Sequence, residues 1–251
     1  MKNVLKRFGN LTQARSAKVP LVIIALVAVI GFSFAACGGD SGGDDGPSPY
    51  LGEELTISDD QVYTRNESKK LINFDSNLDI KEEPGASGKI EGGKLTLTLV
   101  TPTGGLENIS QSDLFKEYRW DDLKVEPSDG KGLFLEGLEI TGSTDYNVVN
   151  REDDSGDEFV VYAYVNEDVK ITGKGKLYEE AGNNDDGEFE HGKKTENINL
   201  SLKKGWNAVC WKASLKGDTY TESMSLRNPK NFKWVLYNYD DDDYDDEEED
   251  D

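Results

Sequence analysis

The chain has 251 residues, with 50 Asp or Glu against 28 Lys or Arg and a formal net charge of −22 at pH 7. So large an acidic excess repels phosphate backbones and anionic headgroups, which excludes nucleic acid as a partner. Two cysteines and one histidine are too few for a Cys/His zinc centre, which takes four such ligands, so no metal centre or cofactor is expected.

Residues 1–36 read as an export leader. Lys2, Lys6, Arg7, Arg15 and Lys18 make the start basic, and Val19 to Ala36 then run without a charge. The small residues Ala35 and Ala36 stand before Cys37, the order of a secretory signal and its cleavage site. Phe34-Ala35-Ala36-Cys37 resembles a bacterial lipobox, with Phe34 in the place Leu usually takes. The resemblance implies cleavage before Cys37 and acyl chains on its sulfur. The apolar run is close to the ~20 residues of a spanning helix, so a retained signal anchor and plain secretion stand as alternatives. Pro20 and Gly31 interrupt that run, and the composition turns to Gly, Ser, Asp and Pro directly after Cys37, both of which favour cleavage.

Residues 37–49 hold no side chain that could build a core, and they read as a flexible tether. Loss of the leader removes five positive charges and takes the net charge from −22 to −27. The tail, residues 239–251, carries 11 acids and no apolar face, and it is expected to stay a disordered, solvated segment. The mature chain keeps Cys210 as its one internal thiol and has no disulfide to form, so residues 50–238 must rely on their core. Cys210 lies in phase with Ala208 and Trp206 and reads as a small buried apolar residue.

That region is dominated by two-residue periodicity. Leu95, Leu97 and Leu99 alternate with threonines, and Ile198, Leu200 and Leu202 repeat the pattern. Residues 159–165 are apolar on both faces, which places them centrally in a sheet. Leu133, Leu135, Leu138 and Ile140 change parity across Gly137, the signature of a bulge. Further strands are expected at 55–58, 61–64, 169–172, 219–225 and 232–237. Glu91-Gly92-Gly93-Lys94, Lys203-Lys204-Gly205 and Lys216-Gly217-Asp218 read as hairpin turns. Residues 183–194 read as a polar insertion. One short helix is expected from Ser110 to Tyr118, with Leu114, Phe115 and Tyr118 on its apolar face. Many short strands with one helix predict an all-β domain, an antiparallel sandwich or barrel.

Gly88-Lys89-Ile90-Glu91-Gly92-Gly93-Lys94-Leu95-Thr96-Leu97 resembles a glycine-then-strand element of uncharacterised exported bacterial lipoproteins. Residues 161–173, followed by Leu200-Ser201-Leu202-Lys203-Lys204-Gly205-Trp206-Asn207, are similar to the same group, known mainly from spirochaetes and related diderm bacteria. The resemblance spans much of residues 55–212. It implies an anchored β domain and transfers no functional residue.

Catalytic chemistry finds few candidates. His191 sits in a polar, loop-like stretch and reads as a solvated residue. The carboxylate-rich turns at 153–158 and 183–188 are candidates for weak calcium binding, though neither has the spacing of the twelve-residue calcium loop. With 50 acids a carboxylate pair is inevitable, so its existence alone argues nothing for glycoside cleavage. Trp206 and Trp211 lie on opposite faces of one strand and are both expected in the core, rather than in an aromatic platform. The expectation is a lipid-anchored envelope protein at the outer membrane or cell surface. It is read as a non-catalytic binding or structural module for an unknown protein or carbohydrate partner. The alternative is a carboxylate-based hydrolase acting on glycans.

Overall fold

The computed structural model describes residues 48–66, 68–115, 119–178, 192–216 and 219–238. The chain divides into two units, Met1–Asp45 and Gly46–Asp251, and every described residue belongs to the second. Strands take up 62% of the described residues and helical turns 4%, so the domain is all-β.

The first strands are β1 (Tyr50–Gly52), β2 (Leu55–Asp59), β3 (Val62–Arg65), β4 (Leu71–Phe74), β5 (Leu78–Glu83), β6 (Ala86–Glu91) and β7 (Lys94–Leu99). Then come β8 (Glu107–Asn108), β9 (Trp120–Glu126), β10 (Lys131–Leu135), β11 (Leu138–Thr141), β12 (Val148–Glu152) and β13 (Glu158–Val165). The last are β14 (Val169–Gly175), β15 (Leu177–Tyr178), β16 (Gly192–Thr195), β17 (Ile198–Leu202), β18 (Gly205–Lys216), β19 (Thr219–Leu226) and β20 (Lys233–Tyr237).

They form a three-layer sandwich. The middle layer is built on β13 and β18, paired antiparallel from Glu158↔Lys212 to Val165↔Gly205. From β18 it extends through β19 and β16 to β15. From β13 it extends along two routes, to β10 and β8, and through β12 to β20, β3 and β4. The upper layer runs β2–β7–β6–β5–β11. The lower layer runs β17–β14–β9.

Side-chain parity explains the layering. Val160, Tyr162 and Tyr164 of β13 join Trp206, Ala208 and Cys210 of β18 in the upper core, against Ile80, Ile90, Leu95, Leu97 and Leu99. Val161, Ala163 and Val165 join Val209 and Trp211 in the lower core, against Val169, Ile171, Ile198, Leu200 and Leu202. A strand buried on both faces must be apolar at every position, and residues 159–165 are. Each fully buried Leu or Ile contributes about 1.5–3 kcal/mol of transfer energy, enough for two such cores to stand without a disulfide.

Three expectations change. Gly205 does adopt a left-handed φ of 102°, but Lys203-Lys204-Gly205 closes no hairpin. β17 pairs with β14 and β18 with β13, so the turn carries the chain from the lower layer to the middle one. The parity change at Gly137 is a bend between two strands, not a bulge within one. β10 pairs with β13, whereas β11 pairs with β12 at Leu138–Glu139 and with β5 at Ile140–Thr141. A Cβ on Gly137 would stand 2.4 Å from Asn150 Oδ1 and 2.7 Å from Val148 Cγ1, so a larger residue there would displace both side chains. The helical stretch forms two single 3₁₀ turns, Ile109–Gln111 and Asp113–Phe115, and residues 116–118 lie outside the description. At the end of the polar insertion, β16 runs parallel to β19 from Gly192 onward.

Candidate functional site

The lipidation candidate Cys37 lies outside the described residues, as do His191, the 183–188 turn and the acidic tail. The remaining candidates are absorbed by the fold. Cys210 is 1% exposed, and burial pushes its thiol up to about 12, which removes thiolate chemistry at neutral pH. Trp120, Trp206, Trp211 and Trp234 are all buried, so the tryptophans form no exposed platform. Trp206 Nε1 donates to Val100 O (3.0 Å) and Trp120 Nε1 to Glu196 O (3.0 Å), which satisfies the two indoles inside the core.

The 153–158 turn spends its first carboxylate on its own backbone. Asp153 Oδ1 accepts the N–H groups of Gly156 (2.8 Å), Asp157 (3.0 Å) and Glu158 (3.2 Å), and Ser155 Oγ donates to Asp153 Oδ2 (2.7 Å). Asp153 thus closes the β12–β13 connection as a capping residue. Among the described residues no group of three or more His, Cys, Asp or Glu is arranged to hold a metal.

Two ionic constellations emerge that periodicity does not reveal. The first ties β3, β12 and β20 together. Arg65 Nη2 and Nε donate to Glu152 Oε1 (2.7 and 3.1 Å), and the Tyr237 hydroxyl donates to the same oxygen (2.5 Å). Arg65 also donates to the carbonyls of Lys69 and Asp154 (3.0 and 3.1 Å). Burial raises the Glu152 pKa, against the pull of Tyr237 and Arg65, and burial also raises that of Tyr237. With every partner hydrogen-bonded, this is a structural staple across three adjacent strands.

The second lies on the lower face of the middle layer. Leu135 pairs with Tyr162 of the upper core, so alternation places Phe134 on the opposite face, against the lower core, and Glu136, in the bend directly after β10, lies within electrostatic reach of Arg119 and Asp113. Phe115 packs edge-on to Phe134 with ring centroids 5.2 Å apart. Arg119 lies over the Trp211 ring, 5.0 Å from its centroid, and Phe159 stacks against the same tryptophan at 6.4 Å. Glu136 is partly buried in this setting. Burial pushes its carboxyl up to about 7, with Asp113 reinforcing the shift and Arg119 opposing it. An acid that keeps its proton near neutral pH can donate one, which is the chemistry of a general acid. Because Trp211 already carries Arg119 and Phe159, its ring leaves little face for a sugar.

Glu136 was hidden in the sequence among many acids. The available signal was a lone carboxyl inside the apolar run Leu133-Phe134-Leu135-Glu136-Gly137-Leu138. Arg119 and Asp113 carry no such mark. Compared with protein-family models, curated proteins and solved structures, the chain matches none.

Proposed function

We propose that this chain is a bacterial envelope lipoprotein, held on the membrane by acyl chains on Cys37, whose β-sandwich serves as a non-catalytic binding or structural module. The observation that carries the reading is the order of the first 40 residues: basic start, uncharged run, Ala35-Ala36-Cys37, then an abrupt polar tether. Each buried methylene of an acyl chain contributes about 0.8 kcal/mol, so two or three chains hold a domain on a bilayer without requiring a membrane-binding surface of the domain itself. The reading places the domain at the outer membrane or cell surface, among exported lipoproteins of the spirochaete type, with a protein or carbohydrate partner. Two self-contained cores and four buried tryptophans support a body that is stable by itself.

Intact-mass analysis of the chain from its native membrane tests the anchor. The expected mature form starts at Cys37 with lipid mass added, and Cys37→Ser is expected to carry no lipid and to keep its leader uncleaved. A polypeptide that still begins at Met1 and carries no lipid ends the proposal. Protease shaving of whole cells then separates surface exposure from a periplasmic position.

The position of Glu136 near Asp113 favours a second reading, a carboxylate-based glycan hydrolase. It requires release of reducing ends from envelope glycans by the native chain and at least about a hundredfold loss in Glu136→Gln, the scale of a general acid's contribution. Equal release by both chains, or none by either, removes it.

A further inference from the structure

A sandwich must dispose of its outermost strands, whose unpaired N–H and C=O groups invite another chain. Most described edges are disarmed. β2 is flanked by Glu53 and Glu54 at one end and Asp59 and Asp60 at the other, so a second copy of it is repelled. β9 is acidic, its ladder with β14 shifts register between Thr172 and Lys174, and Asp122 has a φ of 53°. β17 lies alongside β19. β1, β8 and β15 are two or three residues long.

β4 is different. Leu71-Ile72-Asn73-Phe74 holds no charge, Pro or Gly, and among the described residues it pairs with β3 alone. The Asn66 N–H donates to Lys70 O (3.1 Å), which makes 66 and 70 a hydrogen-bonded pair at the β3–β4 turn. Alternation along the ladder then turns the main-chain groups of Ile72 and Phe74 toward β3 and those of Leu71 and Asn73 outward. Ile72 is 47% exposed, Lys69 and Lys70 stand at the start of the strand, and Asp75 stands at its end.

This polarity of charge selects the occupant. If a second β4 approaches antiparallel with outward groups meeting outward groups, Leu71 pairs with the partner's Asn73. Ile72 then faces the partner's Ile72 across a two-fold axis, which buries the exposed side chain against its own copy. The basic start of each strand comes beside the Asp75 carboxylate of the other. We propose that β4 is a self-pairing edge through which two copies of this chain form an isologous dimer, with the middle sheet continuous across the two-fold axis.

Cysteine pairing at the axis tests this on the full chain in detergent. Residues facing each other in a non-hydrogen-bonded antiparallel pair have Cα atoms about 4.5 Å apart, within disulfide reach. Under mild oxidant, Ile72→Cys is expected to give at least about tenfold more cross-linked dimer than Leu71→Cys, which does not face its own copy. The unsubstituted chain sets the background. Ile72→Lys is expected to lower the dimer fraction in sedimentation while the midpoint of thermal unfolding stays in place. Equal cross-linking at positions 71 and 72 overturns the proposal, as does a native chain that sediments as a monomer at tens of micromolar. An edge that recruits a strand from an unrelated protein would give that same monomer.

Discussion

At the scale of single residues, Glu136 shows how environment rather than identity sets chemistry. Its carboxyl is raised from 4.5 to about 7 by burial in the bend after β10. The folded state therefore holds this proton more tightly than the unfolded chain does. The associated stability is complete below pH 4.5 and is lost as pH rises through about 7. Urea unfolding at pH 5 and pH 8 should show the native chain losing on the order of 2 kcal/mol between them from this group. Glu136→Gln should lose that much less over the same interval. An identical pH dependence in both chains would sink the assignment. Glu152 is a contrasting case, a buried acid whose hydrogen bonds with Arg65 and Tyr237 oppose the effect of burial.

At the scale of elements, turns separate what local chemistry fixes from what it leaves open. The β6–β7 hairpin was legible: Gly92 and Gly93 both take left-handed φ, 56° and 76°, as a two-residue turn of this hand requires. The two glycines are not equivalent, however. A Cβ on Gly92 meets open space, whereas one on Gly93 falls 1.9 Å from the carbonyl oxygen of Phe74 on β4. Gly92→Ala should cost about 1–2 kcal/mol from the backbone alone. Gly93→Ala should cost clearly more, and comparison of the two thermal midpoints checks it. Equal midpoints would mean that β4 yields without penalty. The turn at Lys203-Lys204-Gly205 has similar local chemistry, yet it joins strands in different layers. Gly205 supplies the same left-handed bend, but the partners of β17 and β18 are set by which apolar faces remain to be covered.

At the scale of the whole molecule, an acidic body is stabilised by two cores while its charge works against compactness. Salt screens that repulsion over a Debye length of about 8 Å at physiological ionic strength. Sodium chloride should therefore raise the thermal midpoint, and a fall would show that favourable ion pairs such as Arg65–Glu152 dominate instead. Millimolar calcium at matched ionic strength should add a further rise if the carboxylate-rich turns bind it. No excess over sodium chloride removes calcium as a ligand of these turns.

The sequence by itself determined the class of fold, the inward positions of β7 and β17, and the central place of residues 159–165. It also placed Trp206 and Trp211 on opposite faces and made Cys210 an inert core residue. All of these follow from parity, which is carried by each strand alone because side chains alternate with period two. Beyond such hairpins as β6–β7, only the tertiary structure decided which strands pair and that β10 and β11 part at Gly137. It alone brought Arg65 to Glu152 and gave β4 no partner but β3 among the described residues. These depend on contacts between residues far apart in the chain, such as Arg65 and Glu152, and the energy of such a contact exists only once the layers have met.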